Sequence, residues 1–125
     1  INRKRLRLDR VRVIRSDLFS AIDGCFDVVA ANLPYIGEAE YAGLQPEVRD
    51  YEPKSALVSG PDGLDLIRRI VREAPARLFP GGFLILEIGA GQGAAAAALL
   101  AGDFENVEII RDYNGLDRHV AGTKK

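Results

Sequence analysis

Two short runs constrain this chain more than anything else in it. "FDVVAA" (Phe26 to Ala31) and "FLILEI" (Phe83 to Ile88) are almost wholly apolar, and a segment with helical periodicity lies between them. Strands with no polar alternation are expected where both faces of a parallel sheet are covered. From about Gly63 to Phe79, Leu64, Ile67, Val71, Ala74 and Leu78 share one helical face, while Arg68, Arg69, Arg72 and Glu73 stay wet. Asp62, with Asp65 three residues on, predicts the N-cap of that helix. Pro75 predicts a kink, because proline removes an amide donor and crowds the carbonyl of Val71. Strand, helix and strand in alternation predict an α/β domain with a mostly parallel sheet.

The flanking segments fit that frame. "RVRVIR" (Arg10 to Arg15) alternates and predicts a short strand, and "SDLFSAIDG" (Ser16 to Gly24) predicts a loop. "PGG" breaks the chain before "FLILEI"; Gly89 to Gly93 predict a turn, and Ala94 to about Ala101 an alanine-rich helix. "VEIIRDY" and "RHVAGTKK", separated by "NGLD", predict a terminal antiparallel pair. Asn32 to Gly60 is longer than a simple connection requires, which marks it as a functional loop.

Composition excludes several classes. With 125 residues, 47% of them apolar, the chain fits one modest domain. No apolar run approaches bilayer length and no secretory pattern opens the sequence, so the expectation is a soluble, cytoplasmic protein without a membrane partner. A formal charge of -1 gives no global pull toward nucleic acid. Arg3, Lys4, Arg5, Arg7, Arg10 and Arg12 crowd one end, as a solvated face or a phosphate-binding arm. Cys25 is the single cysteine, so no internal disulfide forms, and it is read as a small buried apolar group. His119 is the lone histidine; with one cysteine it cannot build a zinc site of the usual kind, and no metal is expected. The chain also starts at Ile1, on what looks like the end of a helix, and is read as a piece of a longer protein.

Two motifs carry the functional question. "EIGAGQG" (Glu87 to Gly93) reads either as a glycine-rich cofactor cradle at a helix N-terminus or as a tight structural turn. The acidic residues near the distance a dinucleotide fold requires, Glu108 and Asp112, fall in the terminal hairpin, which favours the turn. "NLPY" (Asn32 to Tyr35) is more specific. Leu33 precedes proline and is pushed to an extended conformation that aims its carbonyl, while Pro34 has fixed φ and no amide hydrogen. Asn32 adds a side-chain carbonyl at the carboxyl end of a strand, where open α/β sheets bind ligands. Two rigid acceptors and the Tyr35 ring make a seat for a planar NH2 group; from these four residues alone, a turn cap at Asn32 and a core tyrosine stand as the alternative.

"NLPY" resembles the Asn-Pro-Pro-Tyr signature of class I S-adenosylmethionine-dependent amino-methyltransferases. With "SDLF", "EVRDYEP", "GPDGLD" and "PGGFLILEIG", the chain from Asn2 to Lys125 is similar to the HemK/PrmC family, which methylates the Gly-Gly-Gln glutamine of peptide chain release factors. Leu33 departs from the commoner proline and matches the form seen in adenine N6-methyltransferases of ribosomal RNA, so N6-methylation of adenine in RNA or DNA stands as the alternative, beside a non-catalytic methyltransferase-like binding module. The resemblance implies a Rossmann-like class I sheet of order 3-2-1-4-5-7-6, mostly parallel with a C-terminal antiparallel hairpin. By the same alignment residues 1–125 are one partial domain, its C-terminal portion, and the N-terminal strands and glycine-rich cofactor loop lie before Ile1. It further implies S-adenosyl-L-methionine as cofactor and a release factor as protein partner. Asn32, Leu33, Pro34 and Tyr35 would be catalytic; Asp17, Leu18 and Asn32 would bind the cofactor, Asp17 by accepting from the adenine amino group. Glu47, Arg49, Glu52 and Pro53 would shape the acceptor loop. Without its neighbours "FDVVAAN" exposes a bare strand edge, so the isolated piece is expected to swap or self-associate and to lack activity.

Overall fold

The computed structural model describes residues 2–125. Both apolar runs become neighbouring parallel strands, β1 (Phe26–Ala31) and β2 (Leu78–Glu87), in register from Val28 opposite Phe83 to Ala31 opposite Leu86. The amphipathic segment is the crossover between them. It forms the helix Asp65–Glu73, preceded by a short helix Asn2–Arg5 and two single-turn helices, Glu38–Tyr41 and Pro46–Arg49; in chain order these are α1, α2, α3 and α4, with α4 the crossover. After β2 come α5 (Gly93–Leu100), β3 (Phe104–Arg111) and β4 (Asp117–Lys124).

The sheet order is β1-β2-β4-β3, with β1 parallel to β2 and β4 antiparallel to both β2 and β3. Three of the four strands therefore point the same way, and β4 is the reversed one. Asp112 ties the hairpin turn: its Oδ1 accepts the Asn114 and Leu116 N–H groups, and Gly115 supplies a φ of 78°.

One face of this sheet is covered. Leu84, Leu86, Ile88 and Val120 meet Ile67, Ile70, Val71 and Ala74 of the crossover and Ala96 and Leu100 of α5, all within one buried cluster. Each fully buried Leu or Ile there contributes roughly 1.5–3 kcal/mol. The other face differs from the expectation of two covered sides: Phe26, Val28 and Ala30 of β1 are exposed, Val28 to 58%. The outer edge of β1 likewise has no strand partner among the described residues.

Several local expectations are corrected. Residues 10–15 form no strand, because no strand lies beside them to accept a ladder, and Val13 is 81% exposed. Cys25 is exposed, since it precedes β1 at the uncovered edge. Asp62 is not the N-cap: its Oδ1 accepts the Leu64 N–H at 3.1 Å in an Asx turn, one turn early, and the Leu66 N–H inside α4 donates to buried Ser59 Oγ at 2.8 Å. Pro75 does not kink a long helix; α4 stops at Glu73 and Ala74–Arg77 tighten into a 3-10 turn. "PGG" lies within β2 rather than before it, as a bulge between Leu78 opposite Phe26 and Phe83 opposite Val28.

Candidate active site

Asn32 to Tyr35 leave the carboxyl end of β1 and line a hollow of about 160 Å³ with Ile36, Glu52, Ala56, Leu57 and Glu87. Asn32 is exposed and also borders a second hollow, of about 340 Å³, with Ala30, Ile85, Glu87 and His119. Among the described residues, neither the Asn32 side chain nor the Leu33 carbonyl is engaged in a hydrogen bond. Both oxygens are thus without a hydrogen-bond partner among the described residues, and Pro34 contributes no competing donor.

The loop behind them is fastened from several sides. Ile36 N–H donates to the Leu57 carbonyl at 2.9 Å and Ser59 N–H to the Ile36 carbonyl at 3.0 Å, so the chain after Tyr35 pairs with the segment before α4. Gly63, at φ 76°, is buried directly against the Tyr35 carbonyl, where any Cβ would collide. Tyr35 itself is held at both ends. Its hydroxyl donates to Glu87 Oε1 at 3.1 Å, and its carbonyl accepts from Gln92 Nε2 at 2.8 Å. Burial first, and then the hydrogen bond to the Glu87 carboxylate, raises the Tyr35 pKa, so the phenol stays protonated at neutral pH.

The glycine-rich turn after β2 is filled by the protein's own groups. Gly89 N–H donates to Gln92 Oε1 at 2.9 Å, and Gly93, at the start of α5, stands against the Asp117 carboxylate. The negative charge of Asp117 beside Gly93 disfavours a phosphate at that helix N-terminus. These contacts agree with the expectation of a structural turn.

Asp17 and Leu18 border neither hollow that Asn32 lines. Asp17 lies in a separate depression of about 390 Å³ with Phe19, Ser20, Arg69 and Glu73. Both its oxygens accept from Arg69, at 3.2 and 3.1 Å. A carboxylate has about four acceptor positions, so the pair leaves room for another donor. Leu18 has φ 48° and is half-buried against the core, and Phe19 beside it is buried. Of the acceptor-loop residues, Glu52 reaches the hollow, whereas Arg49 turns to Asp50 at 2.9 Å.

No family model matches the chain. It is 48% identical over 113 residues to the release factor glutamine methyltransferase of Cereibacter sphaeroides, covering 90% of this chain and 41% of that protein. It is equally 48% identical over 123 residues to the release factor glutamine methyltransferase of Pseudomonas aeruginosa, covering 97% of this chain and 44% of that one. Over nearly its whole length the chain is similar to part of the release factor glutamine methyltransferases. It spans about two fifths of the length of these curated relatives. A solved protein-(glutamine-N5) methyltransferase (release factor-specific) from Alicyclobacillus acidocaldarius superposes with a TM-score of 0.52 at 25% identity, over 81% of this chain and 50% of that one. The sheet is therefore part of the Rossmann-like class I methyltransferase fold, with the antiparallel C-terminal hairpin the sequence implied. No helix among the described residues is long and apolar enough to cross a membrane.

Glu87, Gln92 and Gly63 escaped the sequence reading as parts of this site. Ala31 pairs with Leu86, so the next residues along the two parallel strands, Asn32 and Glu87, emerge together at the carboxyl edge. Aligning "FDVVAAN" against "FLILE" in register would have exposed Glu87. Gln92 carried a weaker signal, as a long polar side chain in a turn otherwise made of glycine and alanine.

Proposed function

We propose that this chain carries the acceptor side of an S-adenosylmethionine-dependent enzyme that methylates the side-chain nitrogen of a glutamine, in the Gly-Gly-Gln motif of a cytoplasmic peptide chain release factor. The observation that carries the reading is the pair of unengaged oxygens, Asn32 Oδ1 and the Leu33 carbonyl, beside Tyr35 at the strand's carboxyl end.

An amide nitrogen is a poor nucleophile, because its lone pair is delocalised into the carbonyl. The residues of this chain must therefore supply orientation. Asn32 and Leu33 accept the two amide hydrogens, which turns the nitrogen toward the methyl donor, and Tyr35 packs against the amide plane. The same two oxygens favour the positive charge that develops on nitrogen during transfer. Pro34 limits the motion of the acceptors. No base is required beforehand, since the methylated nitrogen loses its proton readily. S-adenosylmethionine would supply the activated methyl group on a sulfonium. Asp17 with its remaining acceptor positions, the half-buried Leu18, and exposed Asn32 fit a role in holding that donor.

The carboxylates of Glu52 and Glu87 at the hollow favour an uncharged carboxamide over the adenine of a nucleic acid, whose phosphates they repel. In the full-length protein that carries this chain, Asn32→Ala should lower kcat/KM for methyl transfer to a release factor about 10²-fold. Tyr35→Ala should raise the acceptor KM far more than the donor KM. Methyl transfer that survives Asn32→Ala would overturn the two-oxygen seat, and equal loss of both substrates would make Tyr35 a structural residue.

A further inference from the structure

Gln92 uses its whole carboxamide at one junction. Its Nε2 donates to the Tyr35 carbonyl at 2.8 Å and to the Asp62 carbonyl at 3.1 Å, while its Oε1 accepts the Gly89 N–H at 2.9 Å. Three segments that are distant in sequence meet on this side chain: the loop after β1, the turn before α4 and the turn after β2. Gln92 is half-buried, and Gly89 and Gly63 approach it so closely that side chains at either position would displace it. No other side chain bonds the main chain of the Asn32–Tyr35 loop among the described residues. The contact falls on the peptide unit that joins Tyr35 to Ile36, two residues beyond the Leu33 carbonyl.

We propose that Gln92 is a positioning residue for methyl transfer: by tying the Tyr35 carbonyl to the turn after β2, it sets the direction in which the Asn32 and Leu33 oxygens face an incoming carboxamide. The proposal rests on the reading of that hollow as the acceptor seat. Gln92 touches neither substrate. It acts through the two donor hydrogens of its NH2 group, which no carboxylate of the same shape can supply.

The chemistry of the side chain gives a sharp test in the full-length protein. Gln92→Glu keeps an oxygen for the Gly89 N–H but presents a carboxylate to the Tyr35 and Asp62 carbonyls. Gln92→Ala loses both halves. If the donor half positions the seat, the two variants should lose kcat to a similar extent, about 10²-fold, the scale expected for a small misplacement of reacting groups. Affinity for S-adenosylmethionine, read by calorimetry, should stay within about threefold, because the depression that holds Asp17 is separate from the seat and only Asn32 serves both. Ser59→Ala is the control. It breaks the Ser59 Oγ bond to Leu66 in the same wall without touching Tyr35, and should leave kcat within about threefold.

Backbone hydrogen exchange supplies a readout that does not depend on turnover. Exchange at Ile36 should rise in both Gln92 variants, whereas exchange at Gly89 should rise only in Gln92→Ala. A Gln92→Glu enzyme with kcat within about threefold of the parent would overturn the proposal, as would a loss in Ser59→Ala equal to that in Gln92→Glu. If the unmutated protein transfers no methyl group to any Gly-Gly-Gln protein, the functional reading falls separately. The exchange pattern then decides the point: unchanged exchange at Ile36 in Gln92→Glu overturns the positioning role, and the split between Ile36 and Gly89 upholds it.

Discussion

The two loops assigned to substrate and cofactor are built by different means. Residues 32–36 are held by bonds that cross the molecule: Gln92 on the Tyr35 carbonyl, Glu87 on its hydroxyl, Leu57 and Ser59 on Ile36, and Gly63 packed against the back. Residues 16–20 are held almost entirely by themselves. Ser16 Oγ accepts the Ala21 N–H at 2.9 Å, Ser20 Oγ accepts the Asp17 N–H at 3.2 Å, and the Ser20 and Ile22 amides close local turns. Beyond Phe19 in the core and Leu18 packed against it, their tie to the rest of the chain is the exposed pair of Asp17 with Arg69. Exposed pairs of this kind contribute about 0–1 kcal/mol. The difference teaches that the loop proposed for the acceptor is braced internally, while the loop proposed for the donor has an anchor but little enclosure. One face and the outer edge of β1 are uncovered as well.

The largest expected effect tests that asymmetry directly. These 125 residues alone should bind S-adenosylmethionine at least about 10²-fold more weakly than a full-length relative, since a pocket that encloses little of a ligand recovers little of the freedom lost on binding. Calorimetry on the two proteins side by side reads it, and tight binding by the short chain would erase the contrast. The same sample should self-associate through the bare β1 edge, so a monodisperse monomer with cooperative melting would count against the open-edge reading.

A smaller effect is expected at the back of the acceptor loop. Gly63→Ala puts a Cβ where the Tyr35 carbonyl and Gln92 Nε2 now sit, at a φ of 76° that L-residues avoid. The left-handed backbone alone costs about 1–2 kcal/mol, and relieving the collision moves the loop. Gly91→Ala, with open space around it and no such φ, is the comparison and should be close to neutral. Thermal midpoints and acceptor KM of the two variants in full-length protein give the measurement. If both glycines tolerate alanine equally, the loop is not fastened from behind as described.

What the sequence revealed follows the same division. The strands at Phe26–Ala31 and in the second half of Leu78–Glu87, the crossover face of Ile67, Val71 and Ala74, and the terminal hairpin were legible because each is a local pattern. "RVRVIR" shows the limit of such patterns: alternation makes a strand only where a neighbour accepts its hydrogen bonds, and none is present beside residues 10–15. Cys25 was misread for a related reason, as burial depends on what covers a position. At the site, Asn32 to Tyr35 were legible because proline constrains its neighbours through covalent geometry. Glu87 and Gln92 were not, because their roles arise from strand register and from a bond spanning 57 residues of sequence.

The smallest effect concerns the turn that leads into α4, where Arg68 makes a two-pronged pair with Asp62 and a second contact, at 3.1 Å, with Asp65. The hydrogen bonds from Arg68, followed by the Leu64 N–H, hold the Asp62 carboxyl down to about 2, below the ordinary carboxylate range. A pKa depressed in the folded state means that the pair adds stability above the unfolded value of about 4 and loses it as pH falls toward 2. Because both side chains are substantially exposed, solvent screens the gain. Asp62→Asn should therefore narrow the fall in thermal midpoint between pH 5 and pH 2 by a small amount, with its own loss visible only at the upper end. Asp62 also offers its main-chain carbonyl to Gln92, which the substitution retains. Methyl transfer at neutral pH should then change little, and a large loss of turnover in Asp62→Asn would show that the acceptor loop depends on surface charge rather than on the half-buried carboxamide behind it.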